Sequence, residues 1–202
     1  MITGLRPATF ENLQLNAGVF LVDFNASTYS SATELEDAIL AAMEDETKLI
    51  GATIGGGSFT AEPQIRQIEA DGMRYPIIGS TVNDMWSVHL TGTMKEITPE
   101  NFKRCLISCD MDTSKTNVTV LTVRTDIEEK DYIPRLCWVG DTSKGFVLIE
   151  LDNALNLSGA SFTFTDKGEG YIPFDFQGHV SDLDKMDKAP FRIYFFDEAE
   201  AG

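Results

Sequence analysis

Residues 49–109 read L-I-G-A-T-I-G-G-G-S-F-T-A-E-P-Q-I-R-Q-I-E-A-D-G-M-R-Y-P-I-I-G-S-T-V-N-D-M-W-S-V-H-L-T-G-T-M-K-E-I-T-P-E-N-F-K-R-C-L-I-S-C. The segment opens on a loop made of Gly51, Ala52, Thr53, Ile54, Gly55, Gly56 and Gly57. Three consecutive glycines admit dihedrals closed to other residues, or let another backbone approach closely. Beyond Pro63, Ile65, Gln67 and Glu69 alternate with Arg66, Ile68 and Ala70. Asp71-Gly72 is a two-residue hairpin signal, so residues 73–79 are expected as the return strand. Over residues 84–94, Trp86, Val88 and Leu90 share one face and Ser87, His89 and Thr91 the other, the pattern of a half-buried strand. Thr98 then caps a short helix with Pro99 in its first turn.

The same punctuation continues outward. Residues 19–24 (V-F-L-V-D-F) form a first strand candidate. Ser31-Ala-Thr-Glu34 is a capping box, and Leu35, Ala38, Ile39, Ala42 and Met43 recur at helical spacing, so residues 32–46 read as an amphipathic helix. Residues 110–116, polar and acidic, read as a loop. Residues 117–124 and 132–139 read as strands, the second weakened by Pro134. Residues 145–151 (G-F-V-L-I-E-L) are apolar on both faces and are expected to form a central strand. Phe162 and Phe164 alternate with polar neighbours. Ile172, Phe174 and Phe176 do the same around Pro173, which points to an edge. Residues 191–196 close the fold, and residues 197–202 are expected to fray. Turn signals about every ten residues give a mainly β fold: a β-sandwich or barrel of short antiparallel strands flanked by one or two α-helices. Neither a long-period repeat nor a linker is present, so residues 1–202 form one domain, with a long inter-strand segment at residues 25–63.

Composition narrows the function classes. The chain has 202 residues and a net charge of −16, from 32 acidic and 16 basic residues. The acids are spread along the chain, and such a surface repels nucleic acid, because phosphate binding needs a field of lysine and arginine. No apolar run approaches the roughly 20 residues that span a bilayer, so no membrane partner is expected. The first ten residues lack a charged segment followed by an apolar one, so synthesis is expected in the cytoplasm. Three cysteines, Cys105, Cys109 and Cys137, do not make a disulfide framework and read as buried free thiols.

Several motifs stop short of a chemical site. Gly55-Gly-Gly57 lacks the lysine and the following helix of a phosphate-binding loop. Asp110-x-Asp112-x-Ser114 begins like a calcium loop, but Lys115 and Leu121 stand where the glycine and the final acid belong. A zinc site around Cys105 and Cys109 needs two further ligands, and His89 and His179 are far apart in sequence. The glycosylation sequons at Asn25, Asn117 and Asn156 carry no meaning without secretion. His89 could act as a base, but it reads more readily as a surface or interface histidine. Catalytic residues, cofactors and metals are therefore not expected.

A second block runs from residue 145 (G-F-V-L-I-E-L-D-N-A-L-N-L-S-G) through residues 167–179 (K-G-E-G-Y-I-P-F-D-F-Q-G-H) to residues 187–194 (D-K-A-P-F-R-I-Y). With residues 49–109 it resembles the major tail protein of long-tailed bacteriophages, the subunit of the tail tube. The likeness lies in a strand ending in N-A-L-N, an I-P-F-x-F strand and an A-P-F-x-I-Y close, and it extends over about residues 12–195. It implies a sandwich or barrel flanked by a helix, with six copies in a ring and rings stacked into a tube in the virion tail. The implied partners are the chain itself and other phage tail proteins, and DNA passes the lumen without specific binding. A ring would carry a formal charge of 6 × −16 = −96. Glu69, Asp71 and Asp84 are the candidate lumen acids, and Gly51–Gly57 the candidate inter-subunit loop. The helix at 32–46 departs from the family pattern. The alternatives are a related ring-forming component (a tube end cap, a baseplate ring or the tube of a phage-derived contractile particle), a cytoplasmic ligand-binding β-domain, and an enzyme.

Overall fold

A computed structural model describes residues 16–197 continuously, together with Gly4, Arg6, Thr9, Leu13 and Gln14. The expected fraying of the C-terminal tail falls almost wholly on residues 198–202, outside the described residues. Within them the chain forms β1 (Val19–Val22), α1 (Ala32–Met43), β2 (Thr53–Gln67), β3 (Thr81–Met94), α2 (Pro99–Cys105), β4 (Cys109–Lys115), β5 (Val118–Val123), β6 (Ile133–Thr142), β7 (Gly145–Asn156), β8 (Ile172–Gln177) and β9 (Phe191–Asp197).

The central strand is β7, as its apolar run predicts. On one edge β6 pairs with it from Thr142↔Gly145 to Ile133↔Ala154, and β1 continues the sheet beyond β6. The other edge is shared by two strands in succession: β9 along Gly145–Leu151, then β8 at Leu155 and Asn156. From β8 the sheet runs on through β3 to β2, all antiparallel. The two halves turn over one another as a sandwich. Phe20, Leu136 and Leu151 from one half pack against Val88, Leu90, Met94, Ile172, Phe174 and Phe176 from the other.

The opposite face of the β1–β6–β7 half is covered by α1. Leu35, Ile39 and Ala42 pack on Leu21, Cys137, Val139 and Leu148. That explains why neighbours in sequence are buried in opposite directions, Phe20 and Val22 into the sandwich and Leu21 under the helix. The helix begins as its sequence directs: Ser31 Oγ accepts from the Glu34 N–H at 3.3 Å, while the Glu34 carboxylate reaches back to Ser30. It ends at Met43, a turn short of the expected residue 46. Thr98 caps α2 by accepting from the Asn101 N–H at 3.2 Å.

Five expectations are corrected. The glycine run is strand, not loop: Thr53 pairs with Met94 and Gly57 with Gly92, so extra residues stand between them as a bulge. Gly55 and Gly56 take φ of 76° and 72° there, a region that favours glycine. The expected return strand at 73–79 is part of a longer turn-rich connection, and β3 begins only at Thr81. The acidic stretch after Asp110 is β4, paired with β5 in a separate two-stranded sheet. Pro173 does not mark an edge, because β8 lies between β7 and β3. It is tolerated because β7 pairs only with Phe176 and Gln177, beyond the proline's reach. Phe162 and Phe164 flank a single bridge, Thr163↔Tyr171, rather than a strand.

Two buried polar groups fix the layout. Asn156, at the end of β7, donates to the carbonyls of Cys105 and Gly159, both at 3.0 Å, and accepts from the Asp175 N–H at 2.8 Å. It thereby ties α2 and β8 to β7. Glu150 is 1% exposed. It accepts from Arg192 Nε and Nη2 at 3.0 and 2.8 Å, and from the Ala26 N–H at 3.2 Å, joining β7 to β9 and to the turn ahead of α1. The three cysteines are free and buried, as expected, and burial pushes the Cys105 thiol up to about 12. Removing Arg192 would leave the Glu150 carboxylate buried without its cation. Arg192→Leu is expected to destabilise the fold by about 3 kcal/mol, and Glu150→Gln, which keeps an acceptor for Ala26, by less. Urea unfolding of the two variants checks both the size and the order.

Candidate functional site

The strands β2 and β3 are far longer than the body they cover. Only their proximal halves pack: Val88 and Leu90 are buried, and Phe59 and Trp86 meet the ring of Phe191 at centroid distances of 5.4 and 6.2 Å. Every residue from 62 to 72 is exposed. Side chains of a strand alternate between faces, so a run exposed at successive positions has neither face covered by its own chain. The register slips between Gln64 and Ile65, and a double hydrogen bond clamps the hairpin beyond that point: Arg66 Nε and Nη2 donate to Asp84, both at 3.0 Å. The guanidinium holds the Asp84 carboxyl below its usual range. The clamp therefore holds at neutral pH and is lost only as acid titrates Asp84 through that lowered value.

The distal hairpin is apolar as well as bare. Ile65, Ile68, Tyr75, Ile77, Ile78 and Met85 are all exposed, Tyr75 to 81%. Of these, Tyr75, Ile77 and Ile78 were hidden from sequence reading by the expected strand at 73–79. Two signals argue against that strand: Pro76 removes a ladder donor, and Ile77-Ile78 are consecutive rather than alternating.

The candidate residues fall at both ends of this hairpin. At its base, Gly51 and Ala52 precede β2, and the Ala52 N–H donates to Glu96 Oε1 at 2.7 Å. Thr53 to Gly57 lie within β2. Gly56 and Gly57, with Phe20, Phe59, Trp138 and Ile149, line a cavity of about 300 Å³ at the mouth of the sandwich. A Cβ on Gly57 would overlap the Thr91 carbonyl oxygen, so the close passage of β2 over β3 requires glycine there. At the far end, Glu69 and Asp71 lie in the connection between the strands. Asp84 is tied up by Arg66, so it is not a bare acid. The structure does not bring the three acids into one cluster with the glycines. Among the described residues, no group of three or more histidine, cysteine or acidic side chains could hold a metal ion, and no helix is long and apolar enough to cross a membrane.

One arrangement could not be read from sequence. His89 Nδ1 lies 2.8 Å from Asp175 Oδ1, and its Nε2 lies 3.0 Å from Ser87 Oγ. Asp175 is on β8, 86 residues away in the chain. The order Ser–His–Asp matches that of a nucleophile, its base and an orienting acid. The surroundings differ from those of a hydrolase. All three side chains stand on an open sheet face, His89 and Asp175 being 27% and 37% exposed. The backbone of β3 is paired at His89 with Thr60 on one edge and Gln177 on the other, which places His89 within the ladder rather than on a turn or helix N-terminus of the kind that groups N–H donors around an oxyanion. The same face continues through Ser58, whose hydroxyl lies 2.7 Å from that of Thr91. The arrangement is a polar, hydrogen-bonded sheet surface. An activated ester is expected to be hydrolysed no faster by the wild-type chain than by Ser87→Ala, measured by nitrophenolate release.

Neither the family models nor the curated proteins with which the sequence was compared give a match.

Proposed function

We propose that this chain is the structural subunit of a phage tail tube, assembling with copies of itself into stacked hexameric rings that form a channel for DNA. The observation that carries the reading is the β2–β3 hairpin, uncovered on both faces from residue 62 to residue 72 and tipped with isoleucines. Such an element has a physical rationale in an assembly, where neighbouring copies cover it. Exposed contiguous apolar surface marks an interaction site, and an unpaired β2 edge is a template for pairing. Magnitudes agree. Fully burying a large apolar side chain is worth roughly 1.5–3 kcal/mol. The six exposed apolar residues of the distal hairpin would thus contribute on the order of 10 kcal/mol, comparable to the roughly 4–15 kcal/mol that association costs. The hairpin alone is therefore marginal for a pair of subunits and effective when each copy makes several such contacts. The resemblance of residues 49–109 and 145–194 to tail-tube proteins supplies the hexameric ring and the virion setting.

The polar sheet face suits a channel wall. Across β2, β3 and β8 the only lysine or arginine is Arg66, and Asp84 neutralises it. With a net charge of −16 per subunit, a wall built from this face offers phosphates hydroxyls and carboxylates and no cationic anchor. DNA passes it without being held. The double variant Ile77→Asp/Ile78→Asp is expected to stay folded, since both residues are exposed, and to lose tube formation. Circular dichroism and negative-stain microscopy of the same sample test this. Tubes of unchanged length and number from the variant would refute the reading.

A further inference from the structure

The hairpin carries its two apolar features at opposite ends, and this deepens the tube reading, on which the following rests. We infer that the hairpin tip of one copy inserts into the glycine-lined cavity of a second copy, so that this pair of features forms the axial contact between rings.

Three observations lead there. The first is chemical match. In a chain with a net charge of −16, the cavity lining contains no charged side chain: it combines Gln14, Asn16 and Ser58 with glycines, alanine and large apolar residues. The tip is likewise uncharged from Tyr75 through Asn83. The two can meet without desolvating an ion, in a chain whose net negative charge otherwise opposes the approach of a second copy.

The second is size. An apolar cavity of about 150 Å³ accommodates benzene, with six carbons. The cavity here, about 300 Å³, has room for the eight side-chain carbons of Ile77 and Ile78. At its glycine wall, Gly57 lets β2 pass close over β3, where a Cβ would overlap the Thr91 carbonyl oxygen. The whole distal hairpin, residues 62–86, supplies 25 residues, matching the roughly 20–30 residues per side of a stable interface.

The third is reach. Ten residues of β2 separate Gly57 from Gln67, about 33 Å at strand rise. A tip cannot fold back into its own cavity over that distance, so the contact must be made to another copy. It is heterologous, and every bound copy still presents a free tip at one end and a free cavity at the other. Contacts of that kind propagate without closing. The Arg66–Asp84 clamp keeps the tip extended for insertion.

The test places a benzophenone at the tip, as Tyr75→p-benzoylphenylalanine, in full-length protein. Isotopically light and heavy copies are mixed, assembled and irradiated, and the crosslinked peptides are mapped by mass spectrometry. The expected result is light-to-heavy crosslinks to the cavity walls, around residues 16–20, 56–59 and 138. A second variant, Ala17→Trp, fills the cavity from its rim and is expected to lose stacking while keeping the circular dichroism spectrum of the wild type. Crosslinks confined to one chain or mapping elsewhere in assembled tubes, or unaltered stacking by Ala17→Trp, would overturn the cavity as receptor while leaving the tube reading intact. Failure of the wild-type chain to assemble at all would overturn both.

Discussion

A β-strand must pair its backbone and cover its side chains, and in this protein β7 meets both demands while the β2–β3 hairpin leaves the second unmet. The whole body is organised by β7. Its two faces are buried, one under α1 and the other inside the sandwich, and its free edge is divided between β9 and β8. Because one strand serves both halves, the sandwich needs no separate hinge between sheets, and Asn156 and Glu150 secure it at two points along its length. Burial on this scale is what lets the body hold a 15-residue and a 14-residue strand out into solvent.

The asymmetry between a saturated body and a bare hairpin is the basis of the functional account. A hairpin with neither face covered gains little from its own fold. Its register is held by the bulge at the glycines, by the slip at Gln64 and by the Arg66–Asp84 clamp. The clamp holds one register beyond the slip, while the bulge adds local bend and twist at the hairpin's base. On the polar face of the same sheet, His89 is held between Ser87 and Asp175 by two hydrogen bonds.

Much of this was legible in the sequence where one physical signal dominated. The run at 145–151 is apolar at consecutive positions because both faces are covered, and it reads as a central strand. Ser31 and Thr98 announce their helices because capping is local chemistry. The signal failed where composition and environment diverge. β4 is polar because it belongs to a two-stranded sheet with solvent on much of its surface, so it shows no buried alternation and reads as a loop. The glycine run reads as a loop because glycine usually marks one, whereas here it builds a bulge within a strand. The isoleucines at 77 and 78 read as strand because apolar residues usually seek a core. The His89–Asp175 pair depends on a crossover of the sheet that no local pattern encodes.

The claim on which everything functional rests is that the distal hairpin is covered by neighbouring copies. Amide hydrogen exchange of residues 62–86, compared between dilute subunit and assembled material, measures this directly. The account predicts fast exchange across these residues in the free subunit and strong protection on assembly, with β7 protected equally in both states. Assembled material in which residues 62–86 exchange as fast as in the free subunit would contradict it.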